Sequence, residues 1–521
     1  MKNSMVQVAQ EHRIASSRSA ARRYTEWSIL LAVVVGMAAL VFYLRWWLNS
    51  GFLTSPVLLL VFVSALAYSS FQLVGNWSLF LAASFRPLRK IYPAHCFTVD
   101  VFVTVCGEDH ALIRKCLAAT CAMRGEHKVW LLDDGPDPML EQLAQELGAG
   151  YLIRGNRNDA KAGNLNAALA RTNGDIIAIF DVDHVPAPDY LERTVHHFSD
   201  PGVGFVQVIV TFGNSQDGWV AQAAAESSLD FYNPTSKGMD ALDSVTMMGS
   251  NSLIRRTALT SIGNYQPGLA EDLATSLALH AAGWRSVYVA EPLAPGIAPP
   301  DLASWFTQQF KWARGVFSVL LSDFPRVWSQ LSWGERIAYG VRMTMYWLGP
   351  VICAHLLATV AVLFWGSQEV MEGYGQYLLT LMPLAASNVL IHWLALQRWR
   401  HPSLPAPTWK AVMLVYATWP IYTLAWLMAL LRIPLAFRPT PKTPSSRLNL
   451  WWLTPQTLIT ALLLAGTLYR FSSDGFSSTL VLLAALMLVF PHLLFFAHCC
   501  GSQDMRSLPD LQGVAQVGAT Q

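Results

Sequence analysis

Asp181 and Asp183 stand one residue apart just after an apolar run at 175–180. Two carboxylates at that spacing beside a strand end can grip a hard divalent cation that bridges the phosphates of a nucleoside diphosphate. Oxygen ligands of this kind favour Mg²⁺ or Mn²⁺. His184, next in line, is a further candidate contact to metal or diphosphate. The same residues also suit a plainer role, an Asp capping the following element and a structural histidine. Asp133-Asp134-Gly135 offers acceptors for uracil or ribose with a glycine that lets the backbone approach. It equally suits a turn in which Gly supplies positive φ. Lys161-Ala162-Gly163-Asn164 places a cation ahead of a helix, which suits a diphosphate or an ordinary helix start. Ala270-Glu271-Asp272 opens another helical run, where acids are favoured by the dipole. The chemical reading gives Asp272 the proton of an acceptor hydroxyl attacking an anomeric carbon. One base and one metal-stabilised leaving group would invert that carbon. Gln308, Lys311 and Trp312 fall on one helix face. There Trp can stack on a sugar ring while Gln and Lys reach the diphosphate, or Trp can anchor the helix at a membrane surface.

These residues need a scaffold, and from Thr98 the texture is that of an α/β domain. Strands are expected at 99–105, 129–132 and 175–180, with helices at 111–121 and 138–147. Both Asp-rich motifs then lie at the carboxyl ends of strands, where open α/β sheets bind ligands.

The rest of the chain is apolar. Of 521 residues 53% are hydrophobic and 13% charged, against about 25% charged in a soluble domain, which describes a membrane protein with one soluble domain. Lys+Arg 36 against Asp+Glu 34 leaves no basic excess for a nucleic-acid partner. Seven cysteines without a CxxC pair form no disulfide framework or zinc site. Cys106, Cys116 and Cys121 fit a reducing compartment or simple burial. Apolar segments at 28–48, 55–83, 337–365, 377–396, 453–468 and 479–496 predict six crossings with both ends inside. The stretch 409–431 carries Lys410 and Pro420 between two basic loops, so it is expected to lie in the interface or re-enter, and a crossing there would make seven. The layout is therefore an N-terminal segment at 1–27, two spans within 28–90, a soluble domain at 91–300 and interfacial helices at 301–336. A membrane domain at 337–500 and a polar tail at 501–521, too short for a regulatory domain, complete it.

The order of these motifs resembles the processive family 2 glycosyltransferases, and among them the bacterial cellulose synthase catalytic subunits. Val99-Asp100-Val101-Phe102-Val103, LLDDG at 131–135, KAGNLN at 161–166, DVDHVP at 181–186 and the run at 271–289 carry the resemblance. Phe437-Arg438-Pro439-Thr440-Pro441-Lys442 is similar to that family's FxVTPK gating loop. The resemblance implies an α/β GT-A (Rossmann-like) glycosyltransferase domain inserted in an α-helical transmembrane domain, facing the cytosol at the bacterial inner membrane. It implies a UDP-sugar donor, UDP-glucose first, with Mg²⁺ or Mn²⁺, and a β-glucan such as cellulose or a related exopolysaccharide extruded through the bilayer, with a periplasmic accessory or export subunit as a further partner. By position, Glu108, Asp133, Asp134, Lys161 and Asp181 would hold the nucleotide sugar, and Asp181, Asp183 and His184 the metal. Asp272 would be the base, Gln308, Lys311 and Trp312 would meet donor phosphates and chain end, and Phe437, Thr440 and Lys442 would form the gating loop.

The departures bear on sugar and linkage. QxxRW is QxxKW here, a point charge in place of a bidentate guanidinium. TED is Ala270-Glu271-Asp272, FFCGS is Thr246-Met247-Met248-Gly249-Ser250, and Cys106 stands where a Tyr is usual. No PilZ-type barrel follows Arg18 and Arg22, which predicts no control through such a domain. Single addition to a lipid acceptor, a synthase of another sugar or linkage, and a transporter with a degenerate domain are the competing readings.

Overall fold

The computed structural model describes residues 2–51, 56–86, 89–90, 92–135, 137–435, 450–475 and 479–501. The soluble stretch builds nine strands: β1 (Val99–Val105), β2 (His127–Asp133), β3 (Gly150–Ile153), β4 (Ile176–Asp181), β5 (Val203–Val208), β6 (Thr211–Phe212), β7 (Ser252–Arg255), β8 (Arg285–Val289) and β9 (Pro295–Gly296). Seven form one sheet in the order β3-β2-β1-β4-β7-β5-β8, and β6 pairs with β9. All pairings in the large sheet are parallel except those of β7, which runs antiparallel to β4 and β5. β1, β4 and β5 read as nearly continuous apolar runs because helices cover both faces of the sheet. The strands and the two helices expected between 99 and 181 form within two residues of their anticipated bounds. Local caps fix those helices: Asp109 accepts from Ala111 N–H and Asp137 from Met139 N–H, with Pro138 at the first turn.

Register levels the functional edge. Val105 of β1 pairs with Asp133 of β2, and Thr104 pairs with Asp181 of β4. Asp100 lies at the other edge, where its buried carboxylate accepts from Trp130 Nε1 at 2.9 Å, Gly174 N at 2.6 Å and Arg256 at 3.1 Å. It is a pin for the sheet.

Five helical stretches among the described residues are long and apolar enough to cross a membrane: Glu26–Ser50, Leu59–Ser84, Trp333–Trp365, Gln368–Trp399 and Thr479–Cys499. The helix Thr454–Asp474 forms where a sixth span is expected but is not among those five. Three of its polar residues are buried, Gln456, which donates to the Ala417 carbonyl at 2.9 Å, Thr460 and Thr467. The stretch expected to be interfacial is two helices, Trp409–Ala417 and Trp419–Leu430, bent by 40° at their junction. Thr418 sits in that bend and takes the Trp305 indole N–H at 2.9 Å. The helix Trp333–Thr344 runs through the anticipated boundary at 336 into the membrane segment.

The soluble domain is tied to the end of the second apolar helix. Buried Asp240 receives Arg86, Arg89 at 3.0 Å and the Tyr288 N–H at 2.8 Å. The basic residues that close that helix thus also dock the sheet.

Candidate active site

The end of β4 places Asp181, Asp183 and His184 so that one ligand atom from each lies within 4.8 Å of the others. Asp183 and His184 are buried, and Asp181 is half-exposed toward the cavity. His184 Nδ1 is 3.3 Å from Asp183 Oδ1, yet neither ring nitrogen has a hydrogen-bond partner among the described residues. Gly296 makes room for the ring, since a Cβ there would lie 2.5 Å from Nε2. A buried imidazole with both nitrogens unsatisfied costs free energy unless something binds it. Two carboxylates and an imidazole fit a hard divalent ion.

Asp181 is also held from the protein side. Thr104 Oγ1 donates to its Oδ1 at 2.9 Å, the Lys161 ammonium meets the same oxygen, and its backbone N–H donates to Ser250 Oγ at 3.0 Å. Burial opposes ionisation of Asp181, and Lys161, with His184 adding to it, still brings its pKa below the usual carboxylate value. Lys161 donates a second bond to the Gly249 carbonyl at 2.7 Å. Gly249 has φ +79° and joins the donor cation to the expected base, because a Cβ on it would stand 3.7 Å from Asp272 Oδ2 and 4.0 Å from Lys161 Nζ. Asp272, Lys161 and Asp181 therefore come together around Gly249.

Glu271 and Asp272 open the helix Glu271–Ala281. Among the described residues their carboxylates take hydrogen bonds only from amides of that first turn, Leu273 N to Asp272 Oδ1 at 2.7 Å among them. Burial pushes the Glu271 carboxyl up to about 7, the Asp272 charge adding to it, and burial raises Asp272 too. The helix Leu302–Val327 packs alongside with Gln308 buried and Trp312 against the Asp272 helix. Gly315 permits that approach, as a Cβ there would lie 3.0 Å from Ala270 Cβ. Gln308, Lys311 and Trp312 thus lie on the helix that packs against the one Asp272 opens.

At the end of β2 the carboxylates are already engaged. Asp133 accepts from Gly135 N at 2.8 Å, Asp137 N at 3.0 Å and the Tyr151 hydroxyl at 2.8 Å. Asp134 forms a fork with Arg154 at 2.5 and 2.8 Å. Glu108 accepts from Cys106 N–H at 2.6 Å, and burial, with Asp181 and Asp183 nearby, raises its pKa. Phe437, Thr440 and Lys442 lie outside the described residues.

Two supports escape sequence reasoning. Gln207 is wholly buried in β5, donating to Val208 O and Ser250 O and accepting from Met248 N–H at 3.0 Å. It holds the segment that presents Gly249 and Ser250. The signal was a lone amide in an otherwise apolar strand. His280, also buried, bridges the Tyr339 hydroxyl at 2.7 Å and Ser286 at 3.0 Å, fastening the Asp272 helix to the helix Trp333–Thr344.

Residues 97–315 match the model of the glycosyltransferase like family 2, and residues 259–405 that of cellulose synthase. Cellulose synthase 1 of Komagataeibacter xylinus is 33% identical over 299 residues, 55% of this chain and 19% of that protein. The UDP-forming cellulose synthase catalytic subunit of Pseudomonas fluorescens (strain SBW25) is 31% identical over 361 residues, 66% of this chain and 48% of that one. The chain thus spans less than half the length of these relatives. Among solved structures, a mannosyltransferase from Pyrobaculum calidifontis aligns with TM-score 0.49 and 17% identity over 72% of this chain and 100% of its own. The mixed seven-stranded sheet, with apolar helices before and after it, is the GT-A domain in a membrane protein that the sequence led us to expect. The two signatures run on from one another across 97–405, and this part of the chain is that of a cellulose-synthase-like family 2 glycosyltransferase.

Proposed function

We propose that the protein polymerises a UDP-sugar, UDP-glucose first, into a β-glucan with inversion at the anomeric carbon, and passes the chain through its own membrane helices. The observation that carries this reading is the gathering of the Asp181-Asp183-His184 cluster, Lys161 and Asp272 around Gly249. A divalent ion, when bound by that cluster, neutralises the diphosphate and eases its departure. Lys161 adds a second positive charge on the same side. Asp272 takes the proton of the acceptor hydroxyl as its oxygen bonds to C1, while the C1–O bond to phosphate breaks and its electron pair leaves with UDP. Gln308, Lys311 and Trp312 seat the donor phosphates and the chain end, and Asp133, Asp134 and Glu108 frame the nucleotide.

In this reading the domain faces the cytosol at a bacterial inner membrane, which the basic residues flanking the first spans support. The motif with Phe437, Thr440 and Lys442 is assigned the gating role by its sequence, and a periplasmic subunit receives the product. The 437–442 motif and the QxxKW helix favour a processive enzyme over one that adds a single sugar to lipid. The test is incubation of purified protein with labelled UDP-glucose and Mg²⁺ or Mn²⁺, followed by UDP release and glucanase digestion of the product. Metal-dependent UDP release with a digestible polymer is expected. A single-sugar lipid product would end the processive reading, and silence with every UDP-sugar would end the enzymatic one.

A further inference from the structure

The helix Trp333–Thr344 carries Arg342 in its last turn and continues into the membrane span Trp333–Trp365, so this cation stands where the soluble domain meets the bundle. Its surroundings give it little. The guanidinium lies over the Phe231 ring at 4.5 Å. Nη1 reaches the Met345 thioether sulfur at 3.1 Å, a weak acceptor, and the Tyr346 hydroxyl is the other polar neighbour. Nε is buried with no hydrogen-bond partner, and no carboxylate among the described residues lies within ion-pair distance. A half-buried guanidinium whose Nε is left without a partner is costly, and its five fixed donors suit a ligand rich in oxygen.

Asp272 supplies the direction in which that ligand lies. Met343 and Tyr346, beside Arg342 in the chain, pack in one cluster with Ala270 and Leu273, which flank Glu271 and Asp272, and the Arg342 charge opposes the rise that burial gives the Asp272 carboxyl. Lys161 belongs to the metal side, through Asp181 and Gly249. Arg342 therefore faces the carboxylate from the membrane side, the side from which an acceptor chain lying in the bundle would present its hydroxyl. Tyr232 and Tyr346 close this corner as buried aromatic walls.

We propose that Arg342 is an acceptor-positioning residue, whose guanidinium donates hydrogen bonds to ring substituents of the acceptor's terminal sugar and so aims the attacking hydroxyl at Asp272. This rests on the glycosyltransferase reading above. The shared chemistry is an oxygen-bearing sugar end, whether those oxygens are neutral hydroxyls or a carboxylate.

The test uses the full-length protein in detergent with labelled UDP-glucose, and in parallel labelled UDP-glucuronate, and counts UDP released and label incorporated in polymer. Poor aim sends the donor to water, so the ratio of incorporation to release reads positioning independently of donor binding. Arg342→Gln should lower that ratio about tenfold or more, with the donor KM within about threefold, and Arg342→Lys should recover a substantial part. The donor that gives the larger drop identifies the oxygens. An unchanged ratio in Arg342→Gln overturns the proposal, as does a donor KM that worsens in step with the ratio. Should Arg342→Gln fail to fold, Arg342→Lys decides, because it keeps the charge and loses the fork: a ratio equal to wild type overturns the proposal, and a severalfold drop sustains it. No UDP release by the unaltered protein from any UDP-sugar sinks the underlying reading, and this one with it.

Discussion

At the end of β2 every carboxylate oxygen is occupied by protein, Asp133 by two amides and a tyrosine and Asp134 by both prongs of Arg154. Across the site, among the described residues, Glu271 and Asp272 hold nothing beyond their own helix amides, His184 has two unsatisfied ring nitrogens, and Arg342 has an unsatisfied Nε. The first region is finished before any ligand arrives and can only lend shape. The second carries polar groups whose burial is compensated by something not made of this chain. Local conflict of that kind concentrates where function is. The contrast forecasts opposite mutational signatures, stability and donor affinity on the β2 side and turnover on the Asp272 side.

Asp272→Asn should have the largest effect. Removing the base should lower transfer by at least about a thousandfold, near the upper range for a general base. UDP affinity should stay within about threefold, measured by calorimetry, because Asp272 lies away from the nucleotide edge. An active variant would remove Asp272 as the base. Asp183→Asn should come next. One carboxylate fewer should abolish Mn²⁺-dependent UDP binding, as EDTA does to the wild type, while metal-free thermal stability holds or rises because repulsion with Asp181 is relieved. Metal-independent UDP binding by the wild type would break the assignment of this cluster.

Arg154→Ala probes the finished side. It leaves the mostly buried Asp134 carboxylate uncompensated, a loss of about 3 kcal/mol by the general behaviour of broken buried pairs. Thermal unfolding should show that loss, and the folded fraction should turn over at near the wild-type kcat with a raised donor KM. A kcat falling as far as in Asp272→Asn, with unchanged stability, would erase the distinction between the two regions.

How much of this was legible in the sequence follows the same division. β1, β2 and β4 announce themselves as apolar runs, and their acids at 133, 134, 181 and 183 follow directly at the strand ends, so one edge of the cavity could be read from spacing alone. The other edge is assembled by β7, which returns antiparallel between β4 and β5 and brings Gly249 and Ser250 onto Lys161 and Asp181. Nothing local in Thr246-Met247-Met248-Gly249-Ser250 signals that reversal. Arg342 and the His280–Tyr339 link depend on packing between helices about 60 residues apart, which no periodicity encodes. The helix Thr454–Asp474 shows the converse, a span expected from its apolar stretch in which Gln456 turns inward onto the bent pair at 409–430.

The smallest effect sharpens the comparison most, because it has an unusual sign. The Glu271 carboxyl titrates near 7 in the fold against 4.5 for the free group, burial being the main cause. Between those values the folded state keeps a proton that the unfolded chain has lost, so stability falls as pH rises from about 4.5 through 7. Glu271→Gln carries no such proton. Its melting temperature relative to wild type should therefore grow from pH 5 to pH 8, measured without nucleotide or metal. A gap constant over that range would mean that the carboxylate is already solvated or paired. Glu271 would then belong with Asp133 and Asp134, among the groups the protein completes by itself.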